Sequence, residues 1–267
     1  MTINNRKIGI SFILGIVLLI CPLVTLAEGI ESTGSVGVMG QGITPPTDPE
    51  EPGKQVDPGP GPKTSGSLRI DFVSALTFGK QEITQTNRVY PSHAQLFHDE
   101  TTARGYYIQI TDERQRADGW TLQVKQETQF TNSVIQKAEE KELRGAVLSF
   151  DKGHADSLGA SVMKAPEVTR DTIALHAIGE SYEVAKAEPD TGMGIWTIEF
   201  GQSGKEDTNI LSTLSPLLDK EGQPVMDETF NKNSYTNSAV TLTVPDSVPI
   251  YPVQYETEIT WILAKLP

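Results

Sequence analysis

Short runs in which apolar and polar residues alternate constrain the fold of this chain more than any other feature. Leu68, Ile70 and Phe72 alternate with polar residues, as expected for a strand with one buried face. The same alternation recurs in segments 106–111, 120–124, 146–150, 172–178, 196–200, 240–244 and 255–263. Turn sequences such as Ala117-Asp118-Gly119 separate them, and only 133–143 and 209–218 offer short helices. The pattern predicts one all-β domain over residues 68–267, an antiparallel β-sandwich of Ig-like or jelly-roll-like type.

The N-terminal residues have the layout of a secretory signal peptide. Arg6 and Lys7 precede an apolar run over residues 8–20, and Thr25-Leu26-Ala27 ends the segment with a small residue. A permanent membrane anchor would need about 20 apolar residues, and this run is shorter. We therefore predict that residues 1–27 are a cleaved leader and that the protein is extracellular.

Residues 28–67 are rich in proline, glycine and acidic residues and poor in large apolar side chains. Prolines 45, 46, 49, 52, 58, 60 and 62 are interleaved with acids. Proline removes a backbone donor and favours extended conformations, so such a segment is a poor candidate for a core. The sequence predicts a disordered, acidic, Pro-rich linker over residues 28–67 that acts as a spacer.

Cysteine content and charge exclude several classes of function. The only cysteine, Cys21, lies in the predicted leader, so the mature chain would have no disulfide, thiolate metal site or cysteine nucleophile. The whole chain has a net charge of −13, and the leader holds two of its Lys and Arg residues but no acid, which leaves the mature chain at −15. Nucleic acid is therefore not an expected partner, because phosphate binding requires clustered cations.

The sequence contains no recognisable catalytic motif, and we predict a non-enzymatic protein without cofactor or metal. Its four histidines are scattered, and His93 and His98, five residues apart in a predicted loop, lack the spacing of a metal pair. There is no Gly-x-Ser-x-Gly turn and no phosphate-binding glycine loop. A polysaccharide hydrolase stays a distant alternative, since it would need two carboxylates about 5 to 9.5 Å apart across a cleft, which a sequence does not show.

Two Trp-x-Leu pairs are more informative. Trp120 and Leu122 are two residues apart, as are Trp261 and Leu263, and in a strand this spacing places both side chains of each pair on one face. Such pairs favour core packing, because tryptophan buries a large apolar area. An exposed aromatic platform for recognition is the alternative.

The segments around these pairs resemble the signatures of the WxL surface-protein family of Gram-positive bacteria. The stretch 118–124 is similar to the first Trp-x-Leu signature, and 255–263, which begins with Tyr255, is similar to the second, near the C-terminus. Supporting matches are Gly66–Gly79, Arg144-Gly145-Ala146 and Ala239–Pro245. The resemblance implies a β domain that attaches non-covalently to peptidoglycan at the cell-wall surface. It also implies assembly with a membrane-anchored WxL-binding protein, and in some cases with a sortase-anchored protein or host matrix.

An acidic protein on an anionic wall must rely on short-range contacts rather than long-range attraction. We hypothesise that Trp120, Leu122, Tyr255, Trp261 and Leu263 lie close together on neighbouring strands and form or directly support the wall-binding surface. Two alternatives remain. In the first, these residues only hold the sandwich together and binding happens elsewhere. In the second, the domain is an adhesion or scaffold subunit that binds mainly a protein partner.

Overall fold

The computed structural model describes residues 43–159, 164–204 and 211–266. The one helix within these residues is the short α1, Ala138–Lys141. The strands are β1 Thr47–Asp48, β2 Glu51–Gln55, β3 Leu68–Val73, β4 Val89–His93, β5 Tyr106–Asp112, β6 Trp120–Gln126, β7 Val147–Phe150, β8 Gly153–Asp156, β9 Glu167–Val168, β10 Ile173–Leu175, β11 Ser181–Ala187, β12 Gly194–Phe200, β13 Leu214–Pro216, β14 Met226–Asp227, β15 Lys232–Asn233, β16 Tyr235–Thr243 and β17 Ile259–Lys265.

Each of the eight segments predicted from alternation contains a strand. In β6 the alternation is complete: positions 120, 122, 124 and 126 are buried and the positions between them are partly exposed. The two helix candidates differ in outcome. Segment 133–143 contains the single turn α1, whereas the described part of the second, 211–218, contains β13.

Three antiparallel sheets form the body of the domain. Sheet I has the order β3-β5-β12-β8, and sheet II has the order β17-β6-β11-β9. Sheet III has the order β10-β7-β16-β13, with β4 also paired to β16. Every registered pair is antiparallel, so the prediction of an all-β antiparallel sandwich is confirmed.

One continuous hydrophobic core joins the three sheets. Sheet I contributes Ile108 and Ile110, sheet II contributes Leu122, and sheet III contributes Leu148 and Phe150, all fully buried. Burial of each such side chain contributes about 1.5–3 kcal/mol, so these strands gain most of their stability from the shared core rather than from local propensity.

The prediction of a linker is wrong for residues 43–67. Strands β1 and β2 form a hairpin there that covers the face of sheet I turned away from the main core. The Thr47 amide donates to Gln109 Oε1 at 2.8 Å, and buried Asp48 accepts two hydrogen bonds from Arg104 at 2.7 and 2.8 Å. Polar contacts hold most of this segment, and among its residues only Val56 joins a buried apolar cluster, which explains why its composition suggested a linker. The folded part therefore begins no later than residue 43.

The predicted leader, residues 1–27, and residues 28–42 of the predicted linker lie outside the described residues. Among the residues that are described, no helix is long and apolar enough to cross a membrane.

Candidate functional site

The two Trp-x-Leu motifs lie on adjacent strands of sheet II. Strands β6 and β17 pair antiparallel, with Leu122 opposite Leu263, Val124 opposite Trp261 and Trp120 opposite Lys265. Residues directly opposite each other in such a pair share a face. Both motifs therefore point toward the core, and the structure brings the predicted residues onto neighbouring strands, with the leucine pair between the two indoles.

The first motif is entirely enclosed. Trp120 and Leu122 have no exposed surface, and the Trp120 indole N–H donates to the Gly192 carbonyl at 3.0 Å. Gly192 has a φ of +70°, and a Cβ there would lie 2.4 Å from the Ala187 Cβ and 2.9 Å from Trp120 Nε1. The pocket is therefore closed around the ring, and Trp120 contacts no ligand from solvent in this conformation.

The second motif lies at the rim of the sandwich. Trp261 and Leu263 are only partly buried, because β17 is the terminal strand of sheet II. The Trp261 ring stacks with Tyr106 at a centroid distance of 6.1 Å and meets Phe150 edge-on at 5.7 Å. Burial raises the pKa of Tyr106, so its hydroxyl stays neutral beneath the indole.

Tyr255 completes this rim. Its side chain is partly buried against the main core, and its hydroxyl accepts a hydrogen bond from the Tyr251 amide at 3.2 Å. Of the five residues predicted as a site, Tyr255, Trp261 and Leu263 thus keep exposed surface, and we call these three the rim strip. The third tryptophan, Trp196, is fully buried, and its indole N–H donates to the Met193 carbonyl at 2.9 Å.

A buried polar cluster between sheet I and the N-terminal hairpin was not predicted. Glu199 accepts a hydrogen bond from the Gly105 amide at 2.8 Å, and its other oxygen lies 3.2 Å from His154 Nε2. Burial, with a smaller contribution from the charge of Glu50, raises the pKa of Glu199 to about 7. Burial lowers the pKa of His154, but the hydrogen bond and charge of Glu199 outweigh it, and the net shift is upward.

This cluster joins the hairpin to the sheet. Glu50 accepts hydrogen bonds from the amide and the hydroxyl of Ser203 at 2.6 and 2.5 Å, and it lies 3.9 Å from Arg104. In the alternation of segment 196–200, Glu199 lies between Ile198 and Phe200, and this position predicts a carboxylate on the strand face that is exposed to solvent. The hairpin covers that face, and a sequence pattern gives no indication of such a cover.

A cleft of about 240 Å³ lies between Pro58–Pro60, strand β4 and the β14–β15 hairpin, and it contains both histidines that were considered as a metal pair. The His98 ring lies 4.6 Å from the Phe230 ring, and burial lowers the pKa of His93 despite the nearby charge of Asp227. In the described part of the chain, no group of three or more His, Cys, Asp or Glu residues is arranged to hold a metal ion.

Comparison with known proteins identifies the family. The model of a family described as "WxL domain surface cell wall-binding" matches residues 25–267. The comparison with curated proteins gives no match, and neither does the comparison with solved structures. The family match spans nearly the whole chain and includes both Trp-x-Leu strands, and the protein therefore belongs to the WxL family of cell-wall-binding surface domains.

Proposed function

We propose that this protein is secreted and attaches non-covalently to peptidoglycan through its WxL domain, without enzymatic activity. The observation that carries the proposal is the family match over residues 25–267, which describes a surface domain that binds the cell wall. The whole chain has a net charge of −13, so long-range attraction to an anionic wall is not available. Short-range contacts must supply the affinity.

The rim strip is the part of the motif region that can make such contacts. Aromatic and aliphatic side chains that are partly exposed can pack against the apolar faces of sugars while their polar edges stay hydrated. Trp120 and Leu122 support this strip from the neighbouring strand, since Leu122 is paired with Leu263 across the two strands. We assign direct wall contact to Tyr255, Trp261 and Leu263, and a supporting role to Trp120 and Leu122.

We also propose that the wall-bound domain assembles with a membrane-anchored WxL-binding protein and with a sortase-anchored surface protein. The alternative is an adhesion or scaffold subunit that binds mainly such a protein partner and touches peptidoglycan only incidentally. The partly exposed residues of the rim strip suit either partner, because both recognition modes use aromatic anchors.

Sedimentation of residues 28–267 with purified, protein-free sacculi tests the proposal. We expect the chain to sediment with the sacculi, and Trp261→Ala to reduce the bound fraction at least tenfold while the variant stays folded by circular dichroism. Ile195→Ala is the matched control, because Ile195 is an apolar side chain with 39% exposure on β12 of sheet I, outside the two motif strands. A parallel measurement with a chelator reveals any bridging cation.

The outcomes separate the alternatives. Wild-type protein that stays in the supernatant with bare sacculi, yet sediments when a partner protein is present, would establish the scaffold alternative. A folded Trp261→Ala variant that binds as wild type does would remove the rim strip from the contact surface. Release of reducing sugar from the sacculi would establish the hydrolase.

A further inference from the structure

Strand β17 has a hydrogen-bonding edge that no described strand occupies. It is the terminal strand of sheet II and pairs only with β6. Strand β3 of sheet I also approaches β17, but the two strands form no ladder. An open edge presents a row of unpaired N–H and C=O groups, which another strand can bind.

The register identifies which residues form this edge. The Glu127 amide donates to the Glu258 carbonyl, and the Leu266 amide donates to the Gly119 carbonyl. In an antiparallel ladder the hydrogen-bonded pairs recur at every second residue. Even-numbered residues of β17 therefore bond to β6, and the main chains of Ile259, Trp261, Leu263 and Lys265 face the open edge. The motif residues Trp261 and Leu263 form its centre.

This edge lacks three features that protect natural sheet edges, namely proline, a bulge and a central charge. The seven residues of β17 include no proline, and the pairing with β6 continues without a bulge. The only charge in the strand, Lys265, lies at its last residue. Trp261 and Leu263 are partly exposed beside the unpaired groups, so a neighbouring strand would gain apolar contacts as well as hydrogen bonds.

We propose that the open edge of β17 pairs antiparallel with β17 of a second copy of this chain, and that the two four-stranded sheets become one eight-stranded sheet. The two ends of the strand have opposite charge. Glu256 and Glu258 precede it and Lys265 ends it, and all three are exposed. Two-fold antiparallel pairing brings the acidic end of each strand beside the basic end of the other, so the edge is complementary to itself.

If the two-fold axis passes through Ile262, Trp261 of each copy lies opposite Leu263 of the other copy. Each partly exposed indole then packs against a leucine, which is a favourable cross-strand pair. The dimer also places two rim strips side by side, and two linked binding surfaces raise the effective affinity for a repetitive polymer. The self-association itself does not depend on the proposed wall binding and is measured without wall.

Two matched charge reversals test the proposal in analytical ultracentrifugation of residues 28–267. We expect wild type to form a dimer at high concentration. Lys265→Glu alone and the double variant Glu256→Lys/Glu258→Lys alone should each weaken the dimer at least tenfold, because like charges then meet at both ends. An equimolar mixture of the two variants should dimerise as strongly as wild type, because every end pair is again opposite in charge.

Hydrogen exchange supplies a readout specific to strand pairing. At high concentration the Trp261 and Leu263 amides should become protected, while those of Thr260 and Ile262 are protected at every concentration because they bond to β6. Wild type that remains monomeric at 1 mM would overturn the proposal. Protection of the Trp261 and Leu263 amides in the dilute monomer would also overturn it, because the edge would then already be paired. A mixture of the two variants that fails to dimerise would overturn it as well.

Discussion

The buried pair of Glu199 and His154 predicts an unusual dependence of stability on pH. Burial is the main cause that raises the pKa of Glu199 in the folded state from its ordinary value of 4.5 to about 7. Between these values the folded protein holds a proton that the unfolded chain releases, so the free energy of unfolding falls as the pH rises from 4.5 to about 7. Burial alone would lower the pKa of His154, and its upward shift depends on ionised Glu199, so the two groups titrate as one pair rather than adding separate contributions.

The shift of Glu199 sets the size of the effect. A difference of about 2.5 pKa units corresponds to about 3 kcal/mol at 1.36 kcal/mol per unit. For a domain of this size, that is about 6–12 °C in Tm. Two other shifted groups do not imitate it. The pKa of Asp99 is lowered to about 2, so its contribution is lost only below about pH 4, and the lowered pKa of His93 gives a slope of opposite sign below pH 6.5.

Glu199→Gln isolates the effect, because glutamine keeps an oxygen for the Gly105 amide but has no proton to lose. Urea unfolding followed by tryptophan fluorescence between pH 5 and 8 should show a fall in wild-type stability that the variant lacks. His93 is present in both proteins, so the difference between their slopes reports the pair alone. Glu183→Gln, which changes an exposed carboxylate, is the control. Equal slopes in wild type and Glu199→Gln would refute the reasoning.

Three further predictions concern the hairpin and the closed tryptophan pocket. Residues 68–267 expressed alone should be less stable toward urea than residues 28–267 by at least about 3 kcal/mol. Loss of the β1–β2 hairpin exposes one side of sheet I and leaves Arg104 unpaired, so equal stability of the two proteins would contradict the assigned packing. Asp48→Asn should lower the free energy of unfolding by about 3–5 kcal/mol in the same assay, and the double variant Asp48→Leu/Arg104→Met should recover most of that loss. A double variant no more stable than Asp48→Asn would contradict a simple ion pair. Gly192→Ala should lower Tm and disorder the Trp120 environment in near-ultraviolet circular dichroism, and a wild-type spectrum would show that the pocket tolerates a Cβ.

The strands of the main core were predictable, whereas the cover of sheet I was not. Alternation located β5 and β6 because one face of each strand enters a single apolar core. In β5, however, Gln109 and Thr111 on the opposite face are also fully buried, since the hairpin packs on them through hydrogen bonds. Hydrophobic periodicity detects apolar burial alone, so a segment held by polar contacts looks like a linker.

The candidate site shows the same limit. Residue spacing correctly placed Trp120 with Leu122 and Trp261 with Leu263 on single faces, and the resemblance to the family led us to place the two motifs on neighbouring strands. It did not reveal which strand is internal and which is terminal. That difference depends on the order of strands in the sheet, which is set by pairings between residues more than a hundred positions apart in the chain.

Strand order gives two similar motifs different roles. Strand β6 bonds to β11 on one side and to β17 on the other, so in the Trp120 motif both the main chain and the side chains are used within the fold. Within the described part of the chain, strand β17 bonds to β6 alone, so the Trp261 motif keeps part of its side-chain surface and one row of main-chain groups that no described strand uses. The first motif can therefore affect the wall or a partner only by holding β17 in place. Any direct contact made by the two motifs is then made through the second.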